Sequence, residues 1–133
     1  MPPAVTASAT MKSILFSALL AGFLAMSTAS AAPVLRHVVC FKFKPEATPE
    51  QIKKVETEFV ALKKKIPQIA ALEWGTDNSP EKLADGFTHC FIVTFKSEAD
   101  RDAYLPHPEH KKFVEVLKPV LEKPFVIDFW TKE

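Results

Sequence analysis

The sequence predicts an α+β domain, an open four-stranded sheet with helices on one face, in the order β-α-β-β-α-β. Two periodicities lead there. Several stretches alternate apolar and polar residues with the period of two expected of strands, and two others carry apolar residues three and four apart, as helices do. A third observation divides the second helical stretch. Pro106 and Pro108 flank His107, so no single unbroken helix can run through that point.

The first strand spans residues 34–44. Leu35, His37, Val39, Phe41 and Phe43 alternate on one face, and Val38 and Cys40 lie on the other. Thr48, Pro49 and Gln51 then form a helix start, with Thr as cap, Pro at the first position and Gln closing a capping box. Ile52, Val55, Phe59, Leu62 and Ile66 make one apolar stripe along this helix. Lys63, Lys64 and Lys65 end it, where cations favour the carboxyl end of the helix dipole, and Pro67 stops it.

A second strand covers residues 69–76, and a polar loop covers 77–86. A third strand covers 87–95, with Phe87, His89, Phe91, Val93 and Phe95 on one face. Ser97 caps a short helix that runs to Tyr104. His107 is expected to cap the next helix, with Pro108 as its first residue. That helix should run to about Lys123 and end at Pro124, before a last strand at 125–130. This order is the split β-α-β of ferredoxin-like type. The sheet's second face, with Val38, Cys40, Cys90 and Ile92, is also apolar, and no segment is left to cover it. A second copy of the chain is the simplest cover, so a homodimer is expected.

The chain has 133 residues, enough for one domain, and 47% of them are hydrophobic, including eleven Phe, so a substantial core is possible. Seventeen basic residues meet sixteen acidic ones. That balance offers no basic excess for nucleic acid. Residues 1–31 read as an N-terminal extension plus a secretory signal peptide, and residues 32–133 as the domain. Lys12 follows Met11, an apolar run covers 14–26, and Ala29-Ser30-Ala31 is a small-x-small cleavage site. Residues 1–10 carry no charge and fit no signal region, so translation is expected to start at Met11. The apolar run falls short of the roughly 20 residues of a membrane-spanning helix. Export to the periplasm or the extracellular space is expected, without a membrane anchor after cleavage.

The candidate site centres on Tyr104 and His110, seven residues from end to end around the proline corner. His110 shares a helical stripe with Phe113, Val114, Leu117 and Leu121, so it faces inward. His37 and His89 face inward by strand alternation. Three readings of Tyr104 and His110 stand together: core polar groups that fix the corner, a non-catalytic ligand site, or a catalytic pair of base and hydrogen-bond donor. Three imidazoles could hold zinc, but no short His spacing occurs, so no metal or cofactor is expected. Asp128 either orients a histidine or faces solvent at the sheet edge. Cys40 and Cys90 lie on strands expected to be adjacent and parallel, where side chains rarely reach disulfide geometry. They are read as small apolar residues under the dimer interface.

Leu35-Arg36-His37-Val38-Val39, Glu73-Trp74-Gly75, Phe87-Thr88-His89 and Tyr104-Leu105-Pro106-His107-Pro108-Glu109-His110 together carry a resemblance. The region after the leader resembles the stress-responsive α/β-barrel (Dabb) domain family. The resemblance implies a dimeric α+β barrel with two sheets packed together and helices outside. An olivetolic acid cyclase-like branch of that family closes a ring on a linear polyketide by aldol chemistry. The resemblance would make Tyr104 and His110 the catalytic pair and His37, His89 and Asp128 pocket-lining residues. The expectation is therefore a protein that binds a small, partly apolar molecule between sheet and helices. The alternative is a cofactor-independent lyase or cyclase.

Overall fold

The computed structural model describes residues 1–5 and 30–132. Most of the segment read as a signal peptide lies outside the described residues. The chain divides into two units, residues 1–30 and 31–133, and the second holds every element discussed below. In chain order these are β1 (Leu35–Phe43), α1 (Pro49–Lys65), β2 (Ala71–Thr76), β3 (His89–Phe95), α2 (Glu98–Tyr104), α3 (Pro108–Leu117) and β4 (Leu121–Trp130). The result is the expected four-stranded sheet of ferredoxin-like order, antiparallel throughout. Its strands lie β2-β3-β1-β4.

β1 and β3 are neighbours, as the sequence suggests, but they run antiparallel rather than parallel. The reason is topological. The loop after β2 reverses the chain, so β3 returns between β2 and β1 and opposes both. Cys40 therefore stands directly opposite Cys90.

The α1 start forms as its residue types require. The Thr48 side chain accepts from the Gln51 N–H at 3.2 Å, and the Gln51 side chain accepts from the Thr48 N–H at 2.9 Å. The last helix is shorter than its sequence pattern suggests. It ends at Leu117, because Pro119 has no N–H to give to a helical bond. Residues 118–120 turn, and β4 starts at Leu121, so Pro124 sits within the strand opposite Phe41. β4 is an edge strand, where proline is tolerated. At the other end, β3 starts at His89 rather than Phe87. Phe87 stays in the loop and meets Phe125 edge-on at 6.2 Å.

The core lies between the sheet and the helices. Val55, Phe59 and Leu62 of α1 and Phe113 and Leu117 of α3 pack on Leu35, Val39, Phe41, Phe91, Val93 and Phe95 of the sheet. Phe59 joins these layers, with ring centroids 4.2 Å from Phe91 and 4.6 Å from Phe113. Each such buried ring contributes about 1.5–3 kcal/mol by leaving water. The opposite face of the sheet is uncovered in the single chain. Phe125, Ile127 and Phe129 of β4 are each about half exposed there, at 52%, 50% and 47%.

Candidate functional site

The proline corner builds one side of the site. Ser97 caps α2 by accepting from the Asp100 N–H at 3.1 Å, and α2 ends at Tyr104. The His107 side chain then caps α3 by accepting from the Glu109 N–H at 3.1 Å, with Pro108 as the first helical residue. His107 thus serves as the cap its position suggests. Between the two helices, the Tyr104 and His110 rings come to 4.4 Å between centroids.

The hydrogen bonds set the protonation of this pair. His110 Nδ1 lies 2.8 Å from the Leu105 carbonyl oxygen. A carbonyl only accepts, so Nδ1 carries the proton and Nε2 keeps its lone pair. Burial pushes the imidazole below its ordinary value of 6.5. The nearby His37 and His107 push it the same way, and the Leu105 carbonyl opposes them. His110 is therefore neutral at pH 7. Tyr104 is 1% exposed, and burial pushes its phenol upward, so it stays protonated. The arrangement is an unprotonated imidazole nitrogen on a ring packed against a phenol that keeps its proton to donate.

The sheet supplies the other side. His37 of β1 hydrogen-bonds through Nδ1 to Asp128 Oδ1 of β4 at 2.6 Å. Arg101 of α2 donates to the other Asp128 oxygen at 3.1 Å, and also pairs with Asp102 at 3.1 Å. Asp128 thus orients a histidine, one of the two roles open to it. Its Nδ1 contact leaves the His37 Nε2 available, and the His37 ring meets the Tyr104 ring edge-on at 5.9 Å. Arg101 is a site residue that sequence reasoning missed. Its only signal is its place three residues before Tyr104 on a short helix, and a helical arginine there ordinarily faces solvent. His37, Asp128, Tyr104 and His110 line one open groove of about 490 Å³, whose other walls include the apolar residues Phe41, Leu117 and Val126.

The structure brings together His37, Tyr104, His110 and Asp128, and it places His89 elsewhere. His89 pairs in the ladder with Phe41, four positions along β1 from His37. Its Nε2 meets Glu56 Oε1 at 3.0 Å and its Nδ1 meets Thr88 Oγ1 at 2.8 Å. Burial alone would raise the Glu56 carboxyl, but the bonds from His89 and Lys53 outweigh it and hold the carboxyl below its usual range. His89 lines a second groove, with Cys40, Cys90 and the 77–88 loop. Among the described residues, no three His, Cys, Asp or Glu side chains gather as metal ligands.

A depressed His110 has a measurable consequence. Its NMR titration midpoint in the folded protein should fall below 6.5, with His110→Ala used for assignment. As pH falls through about 6.5 the unfolded chain takes the proton first. This group's share of stability is therefore present above that pH and is lost below it. A midpoint at or above 6.5 would contradict the burial assigned to this ring.

Comparison with known proteins places the chain in a family. The family model described as stress responsive A/B barrel domain (Dabb) matches residues 35–131. A stress-response A/B barrel domain-containing protein of Arabidopsis thaliana is 35% identical over 95 residues, covering 71% of this chain and 87% of that protein. Olivetolic acid cyclase of Cannabis sativa is 32% identical over 95 residues, covering 71% and 94%. Among solved structures, a hydroxynitrile lyase from Passiflora edulis superposes with a TM-score of 0.71 at 31% identity, covering 75% and 94%. A dimeric ferredoxin-like protein from Thermobifida fusca shares the fold, with a TM-score of 0.64 at 23% identity, covering 74% and 92%. With its sheet order, its proline corner and a family match that spans almost all of the second unit, the chain belongs to the stress responsive A/B barrel (Dabb) domain family.

Proposed function

We propose that the groove beside Tyr104 and His110 binds a small, partly apolar molecule that carries a hydrogen-bonding group. One observation carries this reading. A free imidazole lone pair and the phenol packed against it line, with His37 and Asp128, a groove of about 490 Å³ whose other walls are mostly apolar, within the usual range for small-molecule sites. Native mass spectrometry of protein purified from its own host should show a retained mass. His110→Ala should lose it, and Tyr104→Phe, which keeps the ring, should weaken retention by roughly 2- to 12-fold. Wild-type protein with no bound mass, alongside two variants that only melt earlier, would make the pair structural.

A second reading, cofactor-independent lyase or cyclase chemistry, is favoured by the protonation state of the pair. An aldol-type closure needs a base to take an α-proton, a role open to His110 Nε2. It also needs a donor for the enolate oxygen, a role open to the Tyr104 hydroxyl. The enolate carbon then attacks a second carbonyl, and the imidazolium returns its proton to the new alkoxide. Two plant relatives named for a cyclase and a lyase support this reading. His110→Ala should lower turnover of a ketide-like substrate by about 10²–10⁴-fold. An undiminished rate would exclude it as base.

Two further parts of the reading concern assembly and location. The uncovered face, with Val38, Ile92, Phe125, Ile127 and Phe129, is proposed to pack against a second copy. The dimeric ferredoxin-like relatives support it. Ile92→Lys would bury an unpaired charge there, so sedimentation should show loss of the dimer or of folding, whereas a wild-type monomer at micromolar concentration would end the proposal. Export with cleavage after Ala31 is proposed from Lys12, the apolar run and the Ala-Ser-Ala site. N-terminal sequencing of envelope-fraction protein should begin at Ala32, and a mature chain beginning at Met1 or Met11 would refute it.

A further inference from the structure

We propose that Arg101 is a positioning residue of the ligand groove: it holds one oxygen of Asp128 so that the other faces His37, and His37 then offers its Nε2 lone pair to the ligand. The first support is the division of one carboxylate between two donors. His37 and Asp128 are direct partners on β1 and β4, so they share the helix side of the sheet. His37 Nδ1 meets Asp128 Oδ1 at 2.6 Å, and Arg101 Nη1 donates to Oδ2 at 3.1 Å. A carboxylate only accepts, so His37 Nδ1 carries a proton, and a neutral ring keeps its lone pair at Nε2.

The second support is that Arg101 is itself pinned. Its Nε and Nη2 both lie 3.1 Å from Asp102 Oδ1, so the guanidinium reaches Asp128 as a fixed fork. A tie between α2 and β4 is a weak alternative account of the arrangement. The Arg101 and Asp128 side chains are 21% and 26% exposed, and partly exposed ion pairs add little to stability. The His37 side chain is only 8% exposed, so what the pair fixes is the setting of a buried ring.

The consequence for a ligand is an acceptor on each wall. His37 lines the groove from the sheet and His110 lines it from α3. Each ring has its Nδ1–H engaged, one with Asp128 and the other with the Leu105 carbonyl, which leaves Nε2 as the free acceptor. The Tyr104 ring packs against both and supplies the hydroxyl donor. That consequence rests on the ligand reading above, whereas the action of Arg101 on His37 is measured without a ligand.

The test reads the His37 tautomer by ¹⁵N NMR in histidine-labelled full-length protein at about pH 8, where imidazoles are ordinarily neutral. Wild type should show the proton on Nδ1 and the lone pair on Nε2. Asp128→Asn replaces one acceptor oxygen by an amide donor. With Arg101 holding the remaining oxygen, the amide nitrogen is turned to His37, so the ring proton should move to Nε2. Adding Arg101→Met removes that hold and lets the amide rotate, so the proton should return to Nδ1 in part or all of the population. Adding Arg101→Lys instead keeps a donor and should leave the proton on Nε2. His110 should keep its Nδ1–H in every variant, which reports that each is folded. An Asp128→Asn pattern that is the same whether or not Arg101 is also replaced would overturn the proposal and leave Arg101 a tie between α2 and β4. Wild type with the His37 proton on Nε2 would overturn it too. A missing bound mass in native mass spectrometry would count against the ligand alone, so the two readings fail separately.

Discussion

The candidate site depends on the break between α2 and α3. At 3.6 residues per turn, residues six apart on one unbroken helix point about 120° apart. Tyr104 and His110 would then face different sides of the helix rather than one groove. Pro106 and Pro108 forbid that helix, and His107 starts a new one by accepting the Glu109 N–H. The Leu105 carbonyl, at the end of the first helix, is left without a helical partner and accepts a hydrogen bond from His110 Nδ1–H instead. One broken helix thus sets both the position of the pair and the tautomer of the imidazole.

The sheet holds the rest of the site against this corner. His37 and Asp128 join the central strand β1 to the edge strand β4, and Arg101 ties the same carboxylate to α2. A change at any of these three would be felt at the Tyr104 ring, which packs between His37, Phe95 and His110. The large Phe core around Phe41, Phe59, Phe91 and Phe113 lies beside the groove and gives it a rigid apolar floor. Polar groups set in such a wall bind by position and cost little reorganisation.

Much of this was legible in the sequence because it follows from period and local chemistry. The capping box of Thr48 and Gln51, the inward faces of β1 and β3, and the cap at His107 all rest on residues within a few positions of each other. Strand alternation gives the face of a residue but not its neighbours across the sheet. That is why His89 was grouped with His37, although it sits at the other end of the ladder with Glu56 and Thr88. The same limit hid the antiparallel pairing of Cys40 with Cys90, which the return of β3 beside β1 decides. Arg101 was hidden because its partner Asp128 is 27 residues away, and Pro124 suggested a boundary that an edge strand does not need.

The most direct measurement of the central claim uses the histidines as reporters. ¹⁵N spectra of histidine-labelled protein at pH 7, recorded with and without a small aromatic ketone such as acetophenone, separate the two grooves. His37 and His110 line one groove, and His89 lines the other. The account predicts that the His37 and His110 imidazole signals move on addition of the ketone while His89 stays in place. Movement of His89 alone, or of none of the three, would contradict it.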